Sequence, residues 1–202
     1  MAGAGEPWPV AEVMRRGLAG IASDGAWRYS NIGYAFAGAI LAAETGMALG
    51  RALQALVLEP AGAVSAGLAD TRGDLKDVSG VAAGYHPGWV YHRLLVGELG
   101  DAARVLDALL RGRIIGEAAL AELRCARALP EFRTALWDEP AYGLGVMAPR
   151  LADGRRLIGH TGDGPGSQIA VYACECDGRS LAVAAFSDEG EEAERLAVDA
   201  LG

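Results

Sequence analysis

RRLIGHTGDGPGSQIAVYACECDGRSLAVAAFS, residues 155–187, decides the fold class of this 202-residue chain. Two apolar runs, 167–176 and 179–187, flank Asp177-Gly178, a dipeptide that favours the tight two-residue hairpin turn. In the second run Leu181, Val183 and Ala185 alternate with Ala182, Ala184 and Phe186. Both faces of that strand are therefore apolar, and the sheet should be covered on both sides. Upstream, residues 142–151 and 155–160 flank Asp153-Gly154 and predict a second hairpin of the same kind. His160-Thr161-Gly162 then falls at the end of a strand. Residues 189–201 read as a closing helix, with early glutamates favoured by the positive end of its dipole.

Toward the N-terminus the period becomes helical. Val10, Val13, Met14, Leu18 and Ile21 make a stripe over residues 9–22. Ser30 or Asn31 can cap a helix over 32–45 that is apolar on nearly all sides, is expected to be buried, and stops at Gly46. A helix over 47–58 is expected to end at Glu59-Pro60, because proline disfavours helical geometry in the residue before it. Residues 61–97, broken by Gly62, Gly67, Gly73, Gly80, Gly84 and Gly88, read as irregular loop. Asp101 is expected to cap a helix with Val105, Leu106, Leu109 and Leu110 on one face and Gly112 as its stop. Another helix follows over 117–127. The expected fold is α+β: a helical lobe, an antiparallel four-strand meander, and a C-terminal packing helix. It divides into a mainly helical part, 1–140, and a sheet part, 141–202.

Composition narrows the function classes. At 51% hydrophobic residues the chain is globular, and its length allows roughly 70% of the unfolded surface to be buried. A net charge of −8, with Lys76 the only lysine, argues against nucleic acid, whose phosphates require clustered positive charge. Cys125, Cys174 and Cys176 read as structural. No cysteine–histidine set has metal-ligand spacing, so neither a metal nor a cofactor is expected. The first ten residues lack the apolar core of a signal peptide. The longest uncharged stretch considered, 32–43, is too short to span a bilayer. A soluble chain is expected, with its compartment open.

Two short motifs carry candidate chemistry. Tyr29-Ser30-Asn31 projects a phenol and an amide from the first turn of a helix, although an ordinary cap preceded by a core tyrosine has the same appearance. His160-Thr161-Gly162 runs into Asp163-Gly164-Pro165-Gly166, which by itself fits an ordinary loop. No helix begins behind that glycine-rich run to aim N–H groups at an anion, so it is no phosphate cradle.

Order and context bring the motifs together. Trp27 through Gly38, Glu44-Thr45-Gly46, Glu59-Pro60-Ala61-Gly62, Tyr142-Gly143-Leu144-Gly145 and Gly159-His160-Thr161-Gly162 resemble the β-lactamase-related serine hydrolases over almost the whole chain. That superfamily includes class C β-lactamases, D-alanyl-D-alanine carboxypeptidases, D-aminopeptidases and esterases. The resemblance implies that Tyr29 relays a proton between nucleophile and leaving group and that Asn31 hydrogen-bonds substrate. It places His160 where a lysine is commoner and makes Thr161 the contact for a substrate's polar tail. Gly162 would let substrate backbone approach, and the Asp163 N–H would be an oxyanion-hole donor. A histidine with an ordinary pKa of about 6.5 is mostly neutral at pH 7 and attracts a β-lactam carboxylate less than lysine does. Arg155 or Arg156 could compensate. A D-amino-acid peptide or ester is therefore expected ahead of a β-lactam. His86 and His92 have no assignable partner and are expected to be solvent-exposed or hydrogen-bonded.

The family's nucleophile motif, Ser-x-x-Lys, is absent: three residues before Lys76 stands Gly73. The expectation is a portion of a serine hydrolase, inactive as it stands, that meets a small-molecule or peptide substrate and an N-terminal segment carrying the nucleophile. The alternatives are a non-catalytic paralogue that binds a peptide or amide, and a chain that pairs with a separate nucleophile-bearing segment.

Overall fold

In the computed structural model, the described residues are 7–19, 27–80, 85–164, 166–176, 179–188 and 192–202. The chain forms two compact units, residues 1–54 with 67–96, and residues 55–66 with 97–202. Leu106, Leu110 and Leu120, which precede residue 140, pack on the sheet of the second unit.

The first unit contains α1 (Val10–Ala19), α2 (Asn31–Thr45) and α3 (Leu49–Leu53). Ser30 is the cap of α2: its backbone is extended, and its Oγ accepts from the Gly33 N–H at 3.0 Å. Gly46, at φ 64°, ends the helix in the left-handed conformation that favours glycine. At Gly17 a Cβ would lie 2.5 Å from Ile32 Cδ1, so the missing side chain lets α1 approach α2. The burial expected for α2 is not found. None of its residues is buried, and Ile40 is 62% exposed. An apolar pattern reports what a helix can bury and not how much packs against it. The expected end of the first helix falls at Ala19, and residues 20–22 lie outside the described set.

Pro60 does not stop the next helix. The backbone runs through α3, a π-helical turn (Gln54–Leu58) and α4 (Glu59–Ala61), ending at Gly62 with φ 71°. Proline lacks the N–H that would bond back to residue 56, and the wider turn just before it absorbs that loss. Within 61–97, expected to be irregular, β1 (Gly67–Ala69) pairs antiparallel with β2 (Leu94–Val96).

In the second unit β5 (Leu157–Gly164), β6 (Ser167–Cys176) and β7 (Arg179–Ser187) form an antiparallel sheet in that order. Both faces are covered. On one, Leu157, Ala170, Tyr172 and Cys174 pack with Trp137 and with Ala193, Ala197 and Val198 of α7 (Ala193–Ala200). On the other, Ala173, Ile158, Val171 and Ala182 meet Leu106 and Leu110 of α5 (Leu99–Leu110) and Leu120 of α6 (Glu117–Arg124). The expected fourth strand is present as isolated bridges, Met147↔Gly159 and Arg150↔Arg156. Pro149 between them has no N–H to give, though its carbonyl accepts from the Leu157 N–H at 2.9 Å. The helix expected to reach residue 127 ends at Arg124, because β3 (Arg127–Ala128) pairs with β4 (Ala141–Tyr142). Cys125 therefore lies just past a helix, exposed. Among the described residues no single helix is long and apolar enough to cross a membrane.

Asp101 is not the cap of α5; Glu98 holds that position. Asp101 sits in the first turn at 2% exposure, accepting from the Ser65 N–H at 2.8 Å, the Ser65 Oγ at 2.7 Å and Arg104 Nη1 at 2.5 Å. The Ser65 hydroxyl, opposed by burial and helped by the Ser65 N–H and Arg104, holds its carboxyl below the usual range. A depressed pKa contributes stability above the unfolded value, about 3.9, and loses it as pH falls through the folded value. Asp101→Ala should cost about 2 kcal/mol at pH 7, and urea melts at pH 3 should show a smaller gap from wild type.

Gly159 has no room for a side chain, since a Cβ would lie 1.9 Å from the Val171 carbonyl oxygen and 2.8 Å from Tyr172 Cα. Gly159→Ala should therefore force β5 from β6 at a cost of about 3 kcal/mol, lowering Tm by roughly 6–12 °C in a thermal melt.

Candidate active site

The His-Thr-Gly segment does not end β5. The strand continues through Asp163↔Gln168 and Gly164↔Ser167 before turning, with Gly166 at φ 65°. Gly159 and Met147 exchange both backbone hydrogen bonds, at 2.7 and 2.9 Å, on the side of β5 away from β6. Backbone groups alternate direction along an antiparallel strand, so the N–H groups of Thr161 and Asp163 point to that same outer side.

Among the described residues no backbone group pairs with that outer edge at Thr161 and Asp163, and Tyr142-Gly143-Leu144-Gly145 explains why. Tyr142 bridges to Met147, the Gly143 N–H donates to the Val146 carbonyl at 2.8 Å, and Gly145 has φ 76°. The chain thus reverses at 143–146 instead of continuing opposite Thr161 and Asp163. The Leu144 N–H donates to the Leu123 carbonyl at 3.2 Å, anchoring the turn to the end of α6. At Gly143 a Cβ would lie 2.2 Å from that same carbonyl.

Alternation also separates the motif's side chains. His160, opposite Val171, belongs to the α5 side of the sheet; Thr161, opposite Ala170, belongs to the α7 side. The half-buried His160 ring has Nε2 2.7 Å from the Tyr142 hydroxyl and Nδ1 2.5 Å from the Thr161 carbonyl oxygen. The Tyr142 and His160 rings meet edge-on at 85°. Thr161 Oγ1 donates to Met147 Sδ at 3.6 Å, and the Tyr172 hydroxyl reaches the same sulfur at 3.3 Å. Behind them Glu194 of α7 accepts from Trp137 Nε1 at 3.2 Å. Burial raises the Glu194 carboxyl above its usual range, opposed first by the hydrogen bond from Trp137. Burial, reinforced by Glu194, pushes the Tyr172 phenol upward. Gly162 and Asp163 are exposed, and a Cβ at Gly162 would stand 3.0 Å from Ile169 Cγ2 on the neighbouring strand.

His160, Thr161, Gly162 and Asp163 therefore share one strand of the second unit, whereas Tyr29 and Asn31 belong to the first. Tyr29 is 48% exposed and packs its ring 5.6 Å from Tyr34, beside the first residue of α2, Asn31. Partial burial, then Tyr34, raises the Tyr29 phenol above its ordinary 10.0, which favours the protonated donor form at neutral pH. Arg155 is held by a neighbouring carboxylate. Its Nε is bound to Asp153 at 2.8 Å, and it stands before β5 begins at Leu157. His86 caps a short turn, its Nδ1 accepting from the Gly88 N–H at 3.0 Å. Among the described residues no group of three or more His, Cys, Asp or Glu could hold a metal ion. Sequence reasoning missed Met147 and Glu194, and read Tyr142 only as part of a pattern. The one available signal was a tyrosine set directly before a Gly-x-Gly turn.

A family model described as Beta-lactamase matches residues 5–201. None of the curated proteins matches the chain. Solved structures do. A D-stereospecific amidohydrolase from Streptomyces sp. is 21% identical with a TM-score of 0.74, over 91% of this chain and 57% of its own. D-amino acid amidase from Ochrobactrum anthropi SV3, complexed with L-phenylalanine, is 21% identical with a TM-score of 0.77, over 94% and 58%. A penicillin binding protein from Bacillus halodurans is 15% identical with a TM-score of 0.69, over 100% and 65%. At such identities the likeness is one of fold, and this chain spans 57–65% of the length of these three structures. With the family model matched from residue 5 to residue 201, the chain belongs to the Beta-lactamase family, among the β-lactamase-related serine hydrolases.

Proposed function

We propose that this chain supplies residues of a serine acyl-transfer site acting on an amide or ester, with D-amino-acid amides, peptides or esters preferred over β-lactams. The observation that carries this reading is the open outer edge of β5, where Thr161 and Asp163 direct backbone N–H groups beside an exposed Gly162. Donors fixed by a strand can meet a developing oxyanion without reorganising. Tyr29, protonated at neutral pH, is suited to hand a proton to a leaving group, and Asn31 to orient an amide. Support for the substrate class comes from the histidine in place of lysine and from the D-amino acid amidase and D-stereospecific amidohydrolase that share the fold.

Acylation requires a nucleophile and a base, and Ser-x-x-Lys is absent from these 202 residues. The serine then comes from another segment.

Incubated alone with a fluorescent fluorophosphonate or fluorescent penicillin, the 202-residue chain should remain unlabelled, and it should hydrolyse p-nitrophenyl acetate at the buffer rate. Stoichiometric labelling of any of its residues would overturn this account of the nucleophile. In a titration followed by amide NMR, D-phenylalanine amide should shift the Thr161–Asp163 resonances at lower concentration than benzylpenicillin does. The reverse order would refute the substrate preference.

A further inference from the structure

We infer that Tyr142 is a positioning residue of the His-Thr-Gly strand, donating its phenol proton to His160 Nε2 and so holding the imidazole edge-on and as its Nδ1–H tautomer. The assignment begins at the other nitrogen. His160 Nδ1 lies 2.5 Å from the Thr161 carbonyl oxygen, which can only accept, so Nδ1 carries the proton. In a neutral ring Nε2 is then a lone pair, and the hydroxyl at 2.7 Å must be the donor. Each end of the imidazole is committed to a different partner.

The phenol is held firmly enough to do this. Its backbone pairs with Arg127 on β3 and bridges to Met147, and the two residues after it are tied to Val146 and Leu123. Gly143 permits the last of these contacts, since any larger residue would strike the Leu123 carbonyl. The turn that opens the outer edge of β5 therefore also delivers the group that sets the histidine at that edge.

A consequence rests on the function proposed above. With its Nε2 lone pair engaged by Tyr142, His160 does not offer that nitrogen as a general base. The phenol–imidazole pair is a hydrogen-bonded polar wall, which suits an amide or ester tail.

Long-range 1H–15N spectra of the histidine side chains, recorded on the chain at pH 8, test the assignment without any substrate. His160 should show a protonated Nδ1 and an unprotonated, hydrogen-bonded Nε2. In Tyr142→Phe the Nε2 resonance should shift toward that of a nitrogen that has lost a donor, while the backbone amide spectrum keeps its sheet dispersion. An Nε2–H tautomer in the wild-type chain would overturn the inference, as would an unmoved Nε2 resonance in a folded Tyr142→Phe. If that variant fails to fold, the wild-type tautomer alone still decides. Covalent labelling tests the proposed nucleophile independently, so either idea can fail without the other.

Discussion

At Gly159 the backbone of β5 passes so near that of β6 that a methyl group would lie 1.9 Å from the Val171 carbonyl oxygen. The register His160↔Val171 and Thr161↔Ala170 depends on that approach, because a one-residue slip would exchange the two faces of the strand. The two faces are also what the helices bury, α7 over Tyr172 and Cys174, α5 over Ala173. One side-chain-free position thereby fixes both the core of the second unit and the side to which each residue of the His-Thr-Gly motif belongs.

The sheet was easy to read because its signals are local. Asp177-Gly178 between two apolar runs brackets strands observed at 167–176 and 179–187, and the two-sided apolar pattern of β7 announces helices on both faces. Features that depend on a distant partner were harder. Asp101 has the chemistry of a cap, but its oxygens are taken by Ser65, 36 residues earlier in the chain. Pro60 has the chemistry of a stop, but a widened turn carries the helix past it. In α2, composition suggests a core helix and the structure leaves every residue at least partly exposed.

The candidate site was legible in the same uneven way. Its motif residues could be named because their order along the chain resembles a family pattern. What surrounds them could not, because the Tyr142–His160 contact joins residues 18 positions apart through side chains alone. Met147 and Glu194 are quieter still. A thioether and a half-buried carboxyl satisfy the hydroxyls of Thr161 and Tyr172 from behind, and neither stands in a pattern that a sequence scan would flag.

The open edge of β5 has a stereochemical meaning. A ligand laid along it as an extra strand would be read by backbone groups that alternate direction and by faces that alternate chemistry. For an extended ligand in fixed register, inverting one α-carbon takes its side chain off the face it occupied while its amide and carbonyl stay where they are. Handedness is thus converted into whether a side chain meets a lined face or leaves it, and a strand edge can discriminate mirror-image residues with no pocket shaped to either.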